Sequence, residues 1–363
     1  MVGGIPIGGG APVTVQSMTT TKTHDVEATL AQIVRLREAG ADIVRVAVPG
    51  IPDADALPAI VAGAGLPIIA DIHFNASLAL RAMDTGVAAV RINPGNIGGP
   101  EKVEQVVTAA RKAAIPMRIG ANSGSLPKHL HELAHRDQAE ALVAAAIEEV
   151  ELLESLDYRD FKISVKSTHV PTMIRAYRML SERVPYPLHL GVTEAGTSFT
   201  GSIKSAVGIG ALLADGIGDT LRVSLTADPV QEVEVAWEIL KALGLRERGP
   251  VMIACPSCGR DNVGVENRLR TYPEAFEVAV MGCAVNGPGE AGDADFGIAG
   301  GRDVGFIYAH GRVLKKVPSE TLIDELFVEI DRWLADGMKR PKRLKMAKPA
   351  ALAMAEASLI PLD

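Results

Sequence analysis

Three cysteines and one glutamate in the last third of the chain have types and spacing suited to metal chemistry. Cys255-x-x-Cys258 is a chelating pair, and Cys283 follows after 24 intervening residues. The stretch Asn286-Gly-Pro-Gly-Glu290 predicts a tight turn that can carry a carboxylate back toward Cys283. These four side chains are therefore candidate ligands of one metal centre.

Three kinds of centre fit these residues. A structural zinc site would need a carboxylate as its fourth ligand, which is unusual among cysteine-rich sites. A dithiol redox pair would use Cys255 and Cys258 alone and give Cys283 no role. An iron–sulfur cluster held by three cysteines leaves one iron for an exchangeable oxygen ligand, and this interpretation gives Glu290 a role. We favour the cluster on these residues, with zinc and the dithiol as the alternatives.

A second group of polar residues lies inside runs that otherwise resemble buried β-strands. An unpaired buried charge is costly, so such residues are paired, lie at a rim or bind a ligand. Arginine forks suit phosphate oxygens, and several forks together predict a site for more than one phosphate. The group comprises Arg45, Asp71, His73, Arg91, Asn93, Arg118, Asn122, Ser123, Lys162, Lys166, His189, Glu194 and Arg222.

The alternative for the arginines is a ring of internal ion pairs among Arg45, Asp71, Arg91 and Glu194. Because the cations in the group outnumber its carboxylates, we expect an anion-binding bowl. The histidines are weaker signals, since a lone strand histidine is often a core residue.

The segment His131-Glu-Leu-Ala-His135 matches the H-E-x-x-H pattern of zinc proteases. No obvious third ligand lies nearby, and the segment follows the fifth predicted strand. We therefore expect a solvated helix face there and no metal.

These polar residues require a scaffold that brings strand ends together. We predict strands at 13–19, 42–48, 67–74, 88–94, 116–124, 161–168, 187–194 and 220–226, each followed by a helical stretch. Gly40, Gly65 and Gly86 mark predicted helix ends. Eight such units in the first two-thirds of the chain predict a (β/α)₈ TIM barrel with its active site at the carboxyl ends of the strands. A doubly wound sheet is the rival, but no glycine loop follows the first strand.

The remaining chain has a different pattern. We predict the barrel over 1–243, a linker over 244–250, a small α+β metal domain over 251–340 and a tail over 341–363. Within the small domain we expect a hairpin turn at His310-Gly311 and a final helix with Ser319 as its N-cap.

Composition excludes several function classes. The 363 residues carry a formal charge of −7 and open on no apolar leader. We therefore expect a cytoplasmic protein without nucleic acid or membrane as its partner. Three clustered cysteines favour metal or redox chemistry over a disulfide framework.

With these residues in view, the sequence resembles the GcpE (IspG) family of 4-hydroxy-3-methylbut-2-enyl diphosphate synthases from about Gly8 to Leu334. The resemblance rests on many short motifs in order. They are VQSMT, DVEAT, ADIVRV, ADIHF, RINPGNIG, FKISVKS, LHLGVTEAG, GIGDTLRVSL, CPSC and GCAVNGPGE.

The resemblance implies a TIM barrel followed by a ferredoxin-like (sulfite/nitrite reductase-like) domain. It implies a [4Fe–4S] cluster held by Cys255, Cys258, Cys283 and Glu290. The implied reaction is the two-electron reductive ring opening and dehydration of 2-C-methyl-D-erythritol 2,4-cyclodiphosphate in the non-mevalonate isoprenoid pathway. Ferredoxin or flavodoxin would supply electrons, and the enzyme would be a homodimer in which one chain's cluster domain covers the other chain's barrel.

The resemblance also implies roles for single residues. Glu194 would lie closest to the reacting carbons, and Glu290 would yield its iron to a substrate oxygen. The substrate-binding residues would be Arg45, Asp71, His73, Arg91, Asn93, Arg118, Asn122, Lys166, His189 and Arg222. Two rivals are a barrel binding protein with a structural zinc and a barrel lyase acting on another phosphorylated sugar without a reductant.

Overall fold

The structure is a computed structural model that describes residues 1–72, 75–94, 97–255, 259–281, 294–300 and 303–338. The chain divides into two compact units, Met1–Arg246 and Glu247–Asp363. The division falls inside the segment predicted as a linker. His73, Cys258, Cys283, Glu290 and the predicted tail lie outside the described residues.

The first unit is the predicted TIM barrel. Its strands are parallel and run in the order β6-β5-β4-β3-β2-β1-β8-β7, and a bridge from Ile163 to Leu188 joins the β6 and β7 edges. The strands are β1 Thr14–Met18, β2 Ile43–Ala47, β3 Ile68–Asp71, β4 Ala89–Arg91, β5 Met117–Ile119, β6 Phe161–Ile163, β7 His189–Leu190 and β8 Thr220–Leu221. The prediction of eight strand–helix units is confirmed.

Helices follow the strands and cover the barrel. They are α1 Val26–Ala39, α2 Ile51–Ala64, α3 Ala76–Met83, α4 Pro100–Ala113, α5 His131–Arg136, α6 Gln138–Ser155, α7 Val170–Arg183, α8 Ser198–Ala214 and α9 Pro229–Ala242. The Asp25 carboxylate accepts a hydrogen bond from the Ala28 amide and starts α1. Gly40 ends α1 with φ = 104°, a left-handed conformation that favours glycine.

An apolar layer fills the amino-terminal end of the barrel. Val2 and Ile5 form an antiparallel bridge, and Val2 packs on Ile43, Ile69 and Ala89. Each of these three strand residues lies two positions before a charged residue on the same strand. Because side chains alternate along a strand, the charged residues point into the same lumen, one layer nearer the carboxyl end.

The second unit is a five-stranded sheet in the order β13-β12-β11-β10-β9, parallel from β9 to β11 and antiparallel from β11 to β13. Its core includes Phe276 and Phe296, which both pack edge-on against Trp333. The elements are β9 Val251–Ala254, α10 Gly259–Leu269, β10 Glu277–Met281, β11 Phe296–Gly300, β12 Val304–Ala309, β13 Arg312–Pro318 and α11 Leu322–Ala335.

Two local predictions for this unit have opposite outcomes. The hairpin at His310-Gly311 is confirmed, with φ of 49° and 77° at its two residues. Ser319 is not the N-cap of the last helix, because it begins a 3₁₀ turn, Ser319–Thr321, that precedes α11. In the described part of the chain, no helix has the length and apolar character that a bilayer crossing requires.

Candidate active site

Strand register gathers charged residues into one layer of the barrel lumen. Asp71 pairs with Arg91, Arg91 with Arg118, and Arg118 with Lys162 on successive parallel strands β3 to β6. Paired residues on neighbouring strands point to the same face of the sheet. The sequence therefore places three cations and one carboxylate side by side inside the barrel.

Asp71 joins two of the arginines. Its carboxylate lies 3.2 Å from Arg45 Nε and accepts a hydrogen bond of 3.0 Å from Arg91 Nη1. All three side chains are buried. Burial lowers the pKa of Arg45 to about 10 although Asp71 raises it, and Arg222 lowers it further. One carboxylate thus holds two guanidinium groups and leaves them with net positive charge.

Arg118 lies beside these arginines without a carboxylate of its own. Its Nε and Nη2 donate to Ser164 Oγ at 3.3 and 3.0 Å, and the side chain is 1% exposed. Its Nη1 has no hydrogen-bond partner among the described residues. Burial, with repulsion from Arg45 and Arg91, holds the pKa of Arg118 well below its usual range. Such a group favours an incoming anion.

Asn122 and Lys166 lie together where β5 and β6 end. They form a parallel bridge, and the Ser123 amide donates to the Lys166 carbonyl at 2.9 Å. A Cβ on Gly191 would lie 3.3 Å from Lys166 Nζ, so a glycine there lets the lysine cross the end of β7. Burial and the neighbouring arginines hold the pKa of Lys166 well below its usual range.

Lys162 and His189 are two further buried basic residues of the lumen. His189 is fully buried, and its Nδ1 lies 3.3 Å from Thr220 Oγ1. Burial and four neighbouring cations hold the pKa of His189 well below its usual range, so the ring is neutral. Burial, with repulsion from Arg118 and Arg45, lowers the pKa of Lys162 to about 7.

Arg222 is paired with a residue that the sequence did not indicate. Its Nη2 lies 3.3 Å from the Glu232 carboxylate at the start of α9, and Glu232 also accepts from the Leu225 amide at 2.8 Å. An acidic residue in a first helical turn is ordinary, so only the tertiary structure identifies this pair.

The remaining predicted barrel residues occupy the rim. Glu194 has φ = 50° and an exposed side chain, and it forms no ion pair within the described part of the chain. It is therefore separate from the Arg45–Asp71–Arg91 cluster. Asn93 is buried at the end of β4. His73, also predicted to bind substrate, lies outside the described residues.

A side cavity of about 420 Å³ lies beyond the ends of β4 and β5. Glu149 of α6 lines it and accepts a 2.8 Å hydrogen bond from the Gly120 amide. Burial raises the pKa of Glu149 to about 7, and the Gly120 hydrogen bond opposes this shift. Glu149 is not predicted from the sequence, because an acidic pair on an amphipathic helix usually lies on its exposed face.

The H-E-x-x-H segment lies apart from these groups on the six-residue helix α5. His131 and His135 are exposed, His131 Nε2 hydrogen-bonds the Leu126 carbonyl, and Glu132 lies 3.9 Å from Arg136. Among residues with described positions, no three histidine, cysteine or acidic side chains are grouped as metal ligands. The segment has the contacts of a solvated helix.

In the second unit, Cys255 follows the carboxyl end of β9. Its amide donates to the Val280 carbonyl at 3.1 Å, and Ala254 is in register with Val280 of β10. In the sequence, Cys283 comes two residues after the end of β10, and Cys258 immediately precedes α10. Cys255 thus follows a strand whose parallel neighbour, β10, ends at Met281.

The lumen can bind a multiply charged anion. Six cations converge there with two carboxylates, Asp71 and Glu232, and several buried donors are without partners among the described residues. The cations are Arg45, Arg91, Arg118, Lys162, Lys166 and Arg222. Fold and site define the class: an anion-binding (β/α)₈ barrel followed by a small α+β unit with a cysteine at a strand end.

Comparison with known proteins identifies the family. Residues 1–237 match the GcpE TIM-barrel domain and residues 251–332 match the GcpE protein C-terminal domain. The chain belongs to the GcpE family, as the sequence motifs predicted.

Curated relatives cover nearly all of the chain. A protein of Geobacter sulfurreducens is 52% identical, over 92% of this chain and 97% of its own length. A protein of Clostridium perfringens is 53% identical, over 91% of this chain and 97% of its own length. A third, from Geobacillus thermodenitrificans, is 50% identical over 95% and 94%. Each is named 4-hydroxy-3-methylbut-2-en-1-yl diphosphate synthase (flavodoxin).

Proposed function

We propose that this chain is a 4-hydroxy-3-methylbut-2-en-1-yl diphosphate synthase of the non-mevalonate isoprenoid pathway, the activity named for its relatives. It would convert 2-C-methyl-D-erythritol 2,4-cyclodiphosphate by a two-electron reductive ring opening with loss of water. The observation that carries this proposal is the excess of buried cations over carboxylates in the barrel lumen. A cyclic diphosphate supplies two negative charges and so offsets part of this excess.

Different residues at the strand ends would bind the phosphates directly or orient the groups that do. Arg118 and Lys166 would bind the phosphate oxygens directly, since neither has a carboxylate partner within the described residues. Asn122 would donate an amide hydrogen bond beside Lys166. Asp71 would orient Arg45 and Arg91 through its two ion pairs, so that both forks face the same anion. Binding by preorganised donors costs little rearrangement.

The other predicted site residues would have supporting roles. Glu194, exposed at the carboxyl end of β7, would present a carboxylate to the carbons that lose oxygen. His189 is neutral and fully buried, so it would position neighbouring groups without adding charge. Arg222 would stay paired with Glu232 and contribute to the field of the lumen. Asn93 and His73 remain proposed substrate contacts.

The cofactor in this proposal is a [4Fe–4S] cluster with Cys255, Cys258, Cys283 and Glu290 as ligands. The described residues fit it, because Cys255 lies half-buried at a strand end beside the segment that leads to Cys283. Bound there, such a cluster supplies single electrons and one iron with an exchangeable oxygen ligand. Flavodoxin would be the electron donor, as the names of the relatives state, with ferredoxin as the alternative.

We also propose a homodimer in which the cluster unit of one chain serves the barrel of the other. The outer face of α8 supports self-association, because Phe199, Ile203 and Val207 are 78%, 50% and 56% exposed at a spacing of four residues. Sedimentation of the holoprotein tests this. Ile203→Glu should shift a dimer to monomer, whereas Glu104→Lys on the exposed face of α4 should not.

The activity is tested by anaerobic reconstitution and assay. We expect roughly four irons and four sulfides per chain, and turnover of the cyclic diphosphate that requires a reductant. Cys283→Ser should abolish turnover, and Arg118→Met should weaken substrate binding at least tenfold. Arg136→Met, at an exposed site on α5, is the matched control. Zinc without iron would indicate a binding protein, and turnover without reductant would indicate a lyase; either result contradicts the proposal.

A further inference from the structure

Lys162 is a buried lysine of the lumen to which neither the family resemblance nor the proposed reaction assigns an individual role. It lies on β6 in register with Arg118, is 4% exposed, and its Nζ has no hydrogen-bond partner among the described residues. Ser164, the nearest hydroxyl on its strand, is engaged by Arg118. A buried ammonium without hydrogen bonds is costly, so this position needs a physical explanation.

The charged neighbours of Lys162 are cationic on each side. Arg118 of β5 and Arg45 of β2 act on it directly, and Lys162 in turn acts on His189 of β7. The carboxylate of Asp71 already pairs with Arg45 and Arg91. Lys166 lies four residues along the same segment, and Arg222 is paired with Glu232. In the ligand-free barrel these surroundings leave Lys162 only partly protonated near neutral pH.

An anion bound at Arg118 and Lys166 would favour the protonated amine. The two negative charges of a cyclic diphosphate would offset the repulsion that Arg118 exerts on Lys162. Each phosphorus of the cyclic compound carries one strongly acidic oxygen, so the ligand stays fully ionised and takes up no proton itself near neutrality. Protons that accompany binding must therefore come to the protein.

We propose that Lys162 is a further residue of the anion site, one that takes up a proton when the cyclic diphosphate binds and thereby adds a positive charge beneath it. This inference rests on the proposed function, since it requires the diphosphate to occupy the lumen. In this inference Lys162 strengthens substrate binding, and the strength of binding therefore depends on pH.

The proton count can be worked out from the two states. The pKa of Lys162 is about 7 in the ligand-free barrel, and an anion can return it toward the ordinary value of about 10.4. Lys162 would then take up about 0.9 proton on binding at pH 8 and about 0.1 at pH 6. Lys166 can add its own protons, so the contribution of Lys162 is the difference between wild type and a Lys162 variant.

The experiment is calorimetric titration of the holoprotein with 2-C-methyl-D-erythritol 2,4-cyclodiphosphate, without reductant, in pairs of buffers with different ionisation enthalpies. We expect wild type to take up more protons at pH 8 than at pH 6, and Lys162→Met to lose most of that increase. The ratio of the Kd of Lys162→Met to that of wild type should fall about tenfold from pH 6 to pH 8. Lys112→Met, exposed on α4, should match wild type.

Two results overturn the inference. One is wild type binding the ligand at pH 8 without proton uptake, which is decisive even if the variant does not fold. The other is a Lys162→Met protein whose proton uptake and Kd follow the wild-type pH dependence. If wild type does not bind the cyclic diphosphate at all, the proposed function fails first, and the inference fails with it.

Discussion

Asp71→Asn tests the central electrostatic element of the barrel. The substitution keeps the size of the side chain and removes the charge that lies between Arg45 and Arg91. Removing one partner from a buried ion pair costs about 3–5 kcal/mol, because the remaining charge is left uncompensated. Asp71 serves two arginines and is 2% exposed, so we expect the upper end of that range.

The assay exploits the two tryptophans of the chain. Trp237 lies in the barrel, and Trp333 lies in the second unit. In a Trp333→Phe background, tryptophan fluorescence reports barrel unfolding alone. A loss of about 5 kcal/mol should lower the midpoint of the barrel transition by about 15 °C. The cyclic diphosphate should raise the midpoint of Asp71→Asn more than that of the parent, since it supplies negative charge.

Asp55→Asn is the matched control. Asp55 pairs with Arg81 on the surface, and both side chains are about half exposed. An exposed pair contributes about 0–1 kcal/mol, so this variant should unfold close to the parent midpoint. Equal midpoints for Asp71→Asn and Asp55→Asn would refute the reasoning, because the buried arginines would then not depend on Asp71.

Three further predictions concern other parts of the barrel. In Gly120→Ala the added Cβ would lie 1.8 Å from the Ser164 carbonyl oxygen, so this variant should disrupt the β5–β6 edge. Calorimetry should then detect no diphosphate binding. Gly124→Ala is the control and should bind normally, because the space around Gly124 is open. The Tyr177 hydroxyl donates to the His189 carbonyl and accepts from the Val165 amide. Tyr177→Phe removes both hydrogen bonds and should lower the free energy of unfolding, measured by urea titration, by about 1–3 kcal/mol. An unchanged free energy of unfolding would contradict this. Because the folded-state pKa of Lys162 is lowered to about 7, the folded barrel binds fewer protons than the unfolded chain above pH 7, and stability should rise by about 2 kcal/mol from pH 7 to pH 9. Lys162→Met should show a rise smaller by about this amount, with the contribution of Lys166 remaining, and a rise as large as in wild type would exclude Lys162 as a source.

The sequence predicted the parts of the site that depend on strand pattern. Arg91, Arg118 and Lys166 interrupt apolar runs, and a barrel brings the ends of such runs together whatever the details of packing. Register then determines which side chains adjoin. That step requires the structure, because the pairing of Asp71 with both Arg45 and Arg91 depends on side-chain directions across three strands.

The residues missed by sequence reasoning lie on helices. Glu232 and Glu149 belong to surface-like helical patterns, yet one pairs with Arg222 and the other caps the Gly120 amide. The Gly120–Glu149 contact joins residues 29 positions apart, and the Arg222–Glu232 contact crosses the loop between β8 and α9, so neither follows from the spacing within one helix or strand. Ser319 failed as an N-cap for a local reason, since a 3₁₀ turn displaces the start of the helix by two residues.

The apolar layer of Val2, Ile43, Ile69 and Ala89 closes the amino-terminal end of the barrel. A polar ligand has no passage through that layer, so substrate and product must use the same opening at the carboxyl ends of the strands. Product and substrate then exclude one another from a single entrance, and the product should act as a competitive inhibitor of the substrate.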